Sequence, residues 1–83
     1  MAEATRPRPQ IRDVLEELID EMVSKGILWP EALVVFEQLF IERALRECEG
    51  NVSKTAQRIG MHRNTLAQKI RLYQINRHEL AAG

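Results

Sequence analysis

Apolar residues recur at helical spacing through the first quarter of the chain, with acidic side chains on the intervening positions. This alternation is typical of an amphipathic helix. We expect it to begin no earlier than Gln10, because Pro7 and Pro9 disfavour a helix. It should end near Lys25, because Gly26 is a favourable residue just past a helix. The apolar positions are Ile11, Val14, Leu15, Leu18, Ile19, Met22 and Val23.

A second helix is predicted from Pro30, which suits a first helical turn, to about Glu49. Its apolar positions cover most of its circumference, so it must be covered on more than one side. A chain of 83 residues cannot easily provide that cover itself, and we therefore predict a homodimer. The predicted dimer-interface residues are Leu15, Leu18, Met22, Phe36 and Phe40.

Two shorter helices are predicted after Gly50, which ends the second helix. Asn51 can cap the first of them, over 52–59, and a turn containing Gly60 leads into the last, over about 63–73. No strand alternation is present, so the predicted fold is all-α with four helices. Two short helices joined by a glycine-containing turn are typical of a helix-turn-helix.

The predicted organisation has four parts. Residues 1–10 are expected to form a flexible tail, and residues 11–49 a two-helix dimerisation region. Residues 50–78 are expected to form the helix-turn-helix DNA-binding region, followed by a second tail over 79–83.

The charge of the chain is divided unevenly, although 12 basic residues balance 12 acidic ones. Residues 1–50 carry a net charge of −5 and residues 51–83 carry +5, with no carboxylate between Asn51 and His78. Such a split indicates that the halves meet different partners. The basic half fits a nucleic acid, although a solvated helix face would show the same charges.

Several classes of function are disfavoured by the residues. The single cysteine, Cys48, excludes an intrachain disulfide, and the spacing of His62 and His78 fits no zinc site. No paired carboxylates, activated nucleophile or phosphate loop is evident. We therefore expect no enzymatic activity and no bound cofactor, metal or small-molecule substrate. No apolar run approaches the ~18 residues of a membrane span, and no secretory signal is evident. We expect a cytoplasmic protein.

Helical rotation gives the last helix a polar face suited to base recognition. If Leu66 and Ile70 are buried, Asn64, Gln68 and Arg71 lie opposite them. Asparagine and glutamine pair with adenine edges, and an arginine at the helix start, here Arg63, can reach guanine. At the start of the preceding helix, backbone N–H groups favour phosphate beside Asn51, Ser53 and Lys54.

The segment GNVSKTAQRIGMHRNTLAQKIRLYQIN resembles the C-terminal domain of the Fis family. The same domain is found at the C-terminus of many NtrC-type transcription activators. The similarity is specific over about residues 42–76. It implies that the first two helices form an intertwined dimer and that bound DNA is bent. It also implies that Arg63 is the principal base reader, helped by His62, Asn64 and Gln68. The phosphate contacts that it implies are Asn51, Ser53, Lys54, Thr65, Lys69 and Arg71.

Two features depart from the family pattern. Ala67 and Gln68 are neutral where the family's nucleoid-associated member is basic, so we expect weaker non-specific binding. The segment before Ile11 is too short and proline-rich for that member's activating arm.

We therefore predict a dimeric, sequence-selective DNA-binding protein associated with the nucleoid, which regulates transcription or bends DNA. The alternative is a helical interaction module whose acidic half docks a regulator or the transcription machinery, with weak or no DNA binding.

Overall fold

The computed structural model describes residues 9–76, which form four α-helices. They are α1 (Pro9–Ser24), α2 (Trp29–Glu47), α3 (Val52–Ile59) and α4 (Arg63–Leu72). No strand occurs within residues 9–76, and the predicted all-α fold with a helix-turn-helix is confirmed. Residues 1–8 and the predicted C-terminal tail over 79–83 lie outside the described residues.

The chain divides into two compact units, Met1–Leu33 and Val34–Gly83. In the first, α1 begins at Pro9, so the prediction that Pro9 precedes any helix was wrong. A proline is accepted at the first helical position because that N–H has no intrahelical partner. Gln10 is also helical, so the predicted tail over 1–10 extends too far by two residues.

Each of the four described helices is followed by a residue in the left-handed conformation. These residues are Gly26 (φ 77°), Glu49 (φ 56°), Gly60 (φ 72°) and Gln74 (φ 54°). In every case the next residue donates its N–H to the carbonyl five positions back, which satisfies an orphan helical acceptor. The bonds run from Ile27 to Met22, from Gly50 to Leu45, from Met61 to Ala56 and from Ile75 to Ile70. The predicted end of α2 near Glu49 therefore moves back to Glu47.

The second unit contains one hydrophobic core, formed where the end of α2 meets α3 and α4. Ala56 belongs to this cluster and is 3% exposed, so a small side chain occupies the contact between the helices. Leu45 and Leu66 are completely buried, and Ile75 closes the core after α4. The cluster consists of Ile41, Leu45, Ala56, Leu66, Ile70 and Ile75, with Val52, Ile59, Met61 and Tyr73 packed against it.

Replacing Leu66 by alanine should lower the free energy of unfolding by about 2–5 kcal/mol, because it opens a cavity in this core. Leu72→Ala is the matched control, since Leu72 lies on the same helix and is 70% exposed. Chemical denaturation at equal protein concentrations measures both. Equal destabilisation by the two substitutions would contradict this description of the core.

Candidate nucleic-acid interface

Asn51 caps α3 in the manner that the sequence predicts. Its Oδ1 accepts the backbone N–H of Lys54 at 2.9 Å. Its carbonyl oxygen accepts the hydroxyl of Thr55 at 2.7 Å, and Thr55 is completely buried. These bonds satisfy donors at the start of α3 and hold the backbone there in one conformation. The buried threonine is a structural residue that the sequence analysis did not identify.

His62 caps α4, and this function was not predicted. Its Nδ1 accepts the backbone N–H of Asn64 at 3.1 Å, while its own backbone is extended (φ −64°, ψ 139°). The ring is exposed, and its second nitrogen, Nε2, is the one that could serve a base. The contribution of His62 to base reading stays a prediction.

Arg63 and Ser53 meet across the turn between α3 and α4. The Nε of Arg63 donates to Ser53 Oγ at 2.9 Å, which joins a predicted base reader to a predicted phosphate contact. A planar guanidinium held at Nε keeps its two terminal amino groups in a fixed plane, which suits the paired acceptors of a guanine edge. The pairing of Arg63 with Ser53, ten residues apart, was not predicted.

The outer face of α4 is polar and exposed, as helical rotation predicts. Leu66 and Ile70 point into the core, and the predicted DNA-contacting residues on the opposite side are exposed. On α3 and its cap, Asn51, Ser53 and Lys54 are exposed too. The charged residues over 51–76 are all basic, which gives this surface one sign of charge. The exposed residues of α4 include Arg63, Asn64, Thr65, Gln68 and Arg71.

Lys69 has a different environment from the other predicted phosphate contacts. It is half-buried, and its ammonium donates to both carboxylate oxygens of Glu37 on α2, at 3.1 and 3.0 Å. The Tyr73 hydroxyl also donates to Glu37. The sequence analysis missed Glu37, although a lone carboxylate within an apolar part of α2 was a usable signal.

The pKa values of Glu37 and Tyr73 shift in opposite directions, and both shifts have the same cause. The hydrogen bond from Tyr73, followed by that from Lys69, lowers the pKa of the Glu37 carboxyl below its ordinary value. The hydrogen bond to Glu37, with burial, raises the pKa of the Tyr73 phenol. Both shifts favour a carboxylate facing a neutral phenol. The contribution of Glu37 to folding is therefore present at neutral pH and is lost as acidification protonates the carboxylate.

The predicted dimer-interface residues lie on the surface of the described chain. Leu18, Phe36 and Phe40 are 50–55% exposed, Leu15 is 37% exposed, and Met22 is half-buried. Phe36 and Phe40 pack together one helical turn apart, with ring centroids separated by 5.6 Å. Other large apolar side chains are also exposed, both on α1 and on the first part of α2. They include Ile11, Val14, Ile19, Val23, Leu33, Val34, Val35 and Leu39.

Within residues 9–76, no group of three or more histidine, cysteine or acidic side chains could hold a metal ion. None of the helices that the structure describes is long and apolar enough to cross a membrane.

Replacing His62 by alanine should lower the free energy of unfolding by about 1 kcal/mol, because α4 loses its cap. His62→Asn should retain wild-type stability, since its Oδ1 occupies nearly the position of Nδ1 and asparagine is a preferred cap. Thermal unfolding should show a melting temperature roughly 4–8 °C lower for the alanine variant alone. Equal melting temperatures for the two variants would contradict the capping function.

Comparison with known proteins identifies the family. Searches of curated proteins and of solved structures give no significant match. The family model for the bacterial regulatory protein, Fis family, matches residues 32–73, which is half of the chain and contains α3, α4, the turn between them and Glu37. The chain therefore belongs to the Fis family of bacterial regulatory proteins, and it is a helix-turn-helix DNA-binding regulator.

Proposed function

We propose that this protein is a homodimer that binds double-stranded DNA sequence-selectively, with α4 of each subunit in a major groove. The observation that supports the proposal most strongly is the exposed polar face of α4, at the start of which Arg63 donates a hydrogen bond to Ser53. A helix held by a buried core on one side and polar on the other has the form of a recognition helix.

Base recognition is assigned to the exposed polar face of α4 and its N-cap. Arg63 reads guanine through its terminal amino groups, while Asn64 and Gln68 read adenine. His62 stands beside them at the cap, where its Nε2 can reach the same groove. His62, Arg63 and Asn64 lie at the N-terminal end of α4, which is the part of a recognition helix that contacts base edges, and Gln68 lies one turn further along the same face.

Phosphate contacts are assigned to exposed residues on both sides of the base readers. Asn51, Ser53 and Lys54 lie at the start of α3, where backbone N–H groups and the helix dipole favour an anion. On α4 the assigned residues are Thr65, at the border of the base-reading face, and Arg71, near the C-terminal end of the helix. These contacts fix the orientation of the protein on the duplex without reading its sequence. Lys69 differs from these residues because its ammonium contacts Glu37.

Dimerisation is assigned to residues 11–49, and DNA binding to residues 50–78. The support for the dimer is the number of large apolar side chains that are exposed on α1 and, separately, on the first half of α2, because monomeric proteins rarely leave large apolar areas uncovered. The proposed interface contains Leu15, Leu18, Met22, Phe36 and Phe40. Two copies related by a two-fold axis would read an inverted repeat with half-sites ~34–36 Å apart. A shorter distance between the two α4 helices would require the DNA to bend.

We place the protein in the cytoplasm on nucleoid DNA, as a regulator or bending factor without enzymatic activity. Contact with the transcription machinery through the acidic side of α1 is a further prediction. The alternative of an interaction module has weaker support, because two of these carboxylates are already paired with basic side chains four residues away. Glu16 faces Arg12 at 3.9 Å and Glu21 faces Lys25 at 2.9 Å.

Selection of bound sequences from a random duplex pool, followed by gel shift, tests this function. Arg63→Ala should weaken binding to the selected duplex by about 1–3 kcal/mol and relax its sequence preference, because the variant can no longer hydrogen-bond the base edge. Arg46→Ala is the charge-matched control, since Arg46 is exposed on α2 outside the proposed base-reading face.

The absence of a retarded complex at low salt, with folded wild-type protein in micromolar excess, would contradict DNA binding. Equal weakening on every duplex would instead assign Arg63 to the phosphate backbone.

A further inference from the structure

The carboxylate of Glu37 is the acidic group that contacts α4. It lies on α2 between Phe36 and Gln38, and it accepts hydrogen bonds from Lys69 and Tyr73. Lys69 and Tyr73 are four residues apart and therefore share one face of the end of α4. One carboxylate thus holds two successive turns of this helix region.

These bonds supply a directional restraint that the core does not. Leu66 and Ile70 hold α4 against its neighbours by apolar contact, which is non-directional. Hydrogen bonds weaken steeply with misalignment, so the bonds to Glu37 restrict rotation of α4 about its own axis. The burial of Leu66 and Ile70 decides which face of α4 is outward, and the bonds to Glu37 narrow the range of angles at which Asn64 and Gln68 are presented.

The same geometry changes the electrostatic contribution of Lys69. Its side chain is 26% exposed, that of Glu37 is 37% exposed, and their charges are 3.0 Å apart. A phosphate approaching Lys69 would also meet the Glu37 carboxylate, which opposes the attraction. Arg71, two residues further along α4, is exposed and has no carboxylate among its described contacts.

We propose that Glu37 is a positioning residue for DNA recognition: it fixes the rotation of α4 through Lys69 and Tyr73, and it removes Lys69 from the phosphate contacts. This inference rests on the proposed DNA-binding function. It replaces the phosphate contact that the family resemblance implies for Lys69 with a contact inside the protein.

The salt dependence of DNA binding distinguishes a lysine that contacts phosphate from a lysine that bonds a carboxylate inside the protein. We compare Lys69→Met with Arg71→Met, which remove the same charge from neighbouring positions of α4, on one selected and one unrelated duplex. Arg71→Met should make the slope of log Kobs against log[salt] shallower by about 0.9 for each phosphate that is no longer neutralised, hence about 1.8 in a dimer. Lys69→Met should leave the slope unchanged and reduce the ratio of selected to unrelated binding.

A second pair of variants tests Glu37 directly. Glu37→Gln keeps the shape and an acceptor oxygen but removes the charge, and Glu42→Gln removes the same charge elsewhere on α2. Glu37→Gln should lower the ratio of selected to unrelated binding by about threefold to tenfold, the size expected for a weakened hydrogen-bond network. It should also make the salt slope steeper, because Lys69 becomes available to phosphate. Glu42→Gln should leave both quantities unchanged.

The inference would be overturned if Lys69→Met made the salt slope as much shallower as Arg71→Met does. It would also be overturned if Glu37→Gln kept the wild-type ratio of selected to unrelated binding.

Thermal unfolding without DNA tests the contact between Glu37 and Lys69 independently. The decreases in stability caused by Glu37→Ala and Lys69→Met should be non-additive, and additive decreases would count against the pairing. A folded wild type that binds no duplex would refute the proposed function and this inference together. If the wild-type protein binds DNA but the salt slopes of the variants differ from those predicted, the inference alone is refuted.

Discussion

The distribution of buried apolar side chains is the constraint on which the rest of this structure depends. Within the described residues, every buried hydrophobic side chain lies between Ile41 and Ile75. The large apolar side chains of α1 and of the first half of α2 remain substantially exposed. The core that is formed is sufficient to define a helix-turn-helix. The apolar side chains that precede it are the ones for which we propose a second copy of the chain as the cover.

The helix α2 contributes both to the exposed apolar side chains and to the buried core. Phe36 and Phe40 belong to its exposed apolar surface, whereas Ile41 and Leu45 belong to the core that supports α4. Glu37, which follows Phe36 on α2, accepts hydrogen bonds from Lys69 and Tyr73 at the end of α4. Dimerisation through α2 would therefore be linked to the orientation of the recognition helix by a continuous helix and a small number of polar bonds. Specific recognition needs this kind of rigidity, because base contacts depend on sub-ångström placement of side chains.

Local features of the structure could be predicted from the sequence, because each depends on residues close together in the chain. The bounds of α3, the cap at Asn51 and the left-handed turn at Gly60 follow from residue types with strong conformational preferences. Glu49 and Gln74 also adopt left-handed backbone, but neither residue type signals it. The capping by His62 was missed for the same reason. The contact of Glu37 with Lys69 spans 32 residues, and no local spacing could reveal it.

Native mass spectrometry of the wild-type chain, alone and with a selected duplex, tests the central claim most directly. The chain has a mass of 9.6 kDa. Our account predicts twice that mass for the protein alone at micromolar concentration, and two chains on each duplex. A protein that remains at 9.6 kDa without DNA and occupies the duplex as a single chain would contradict it.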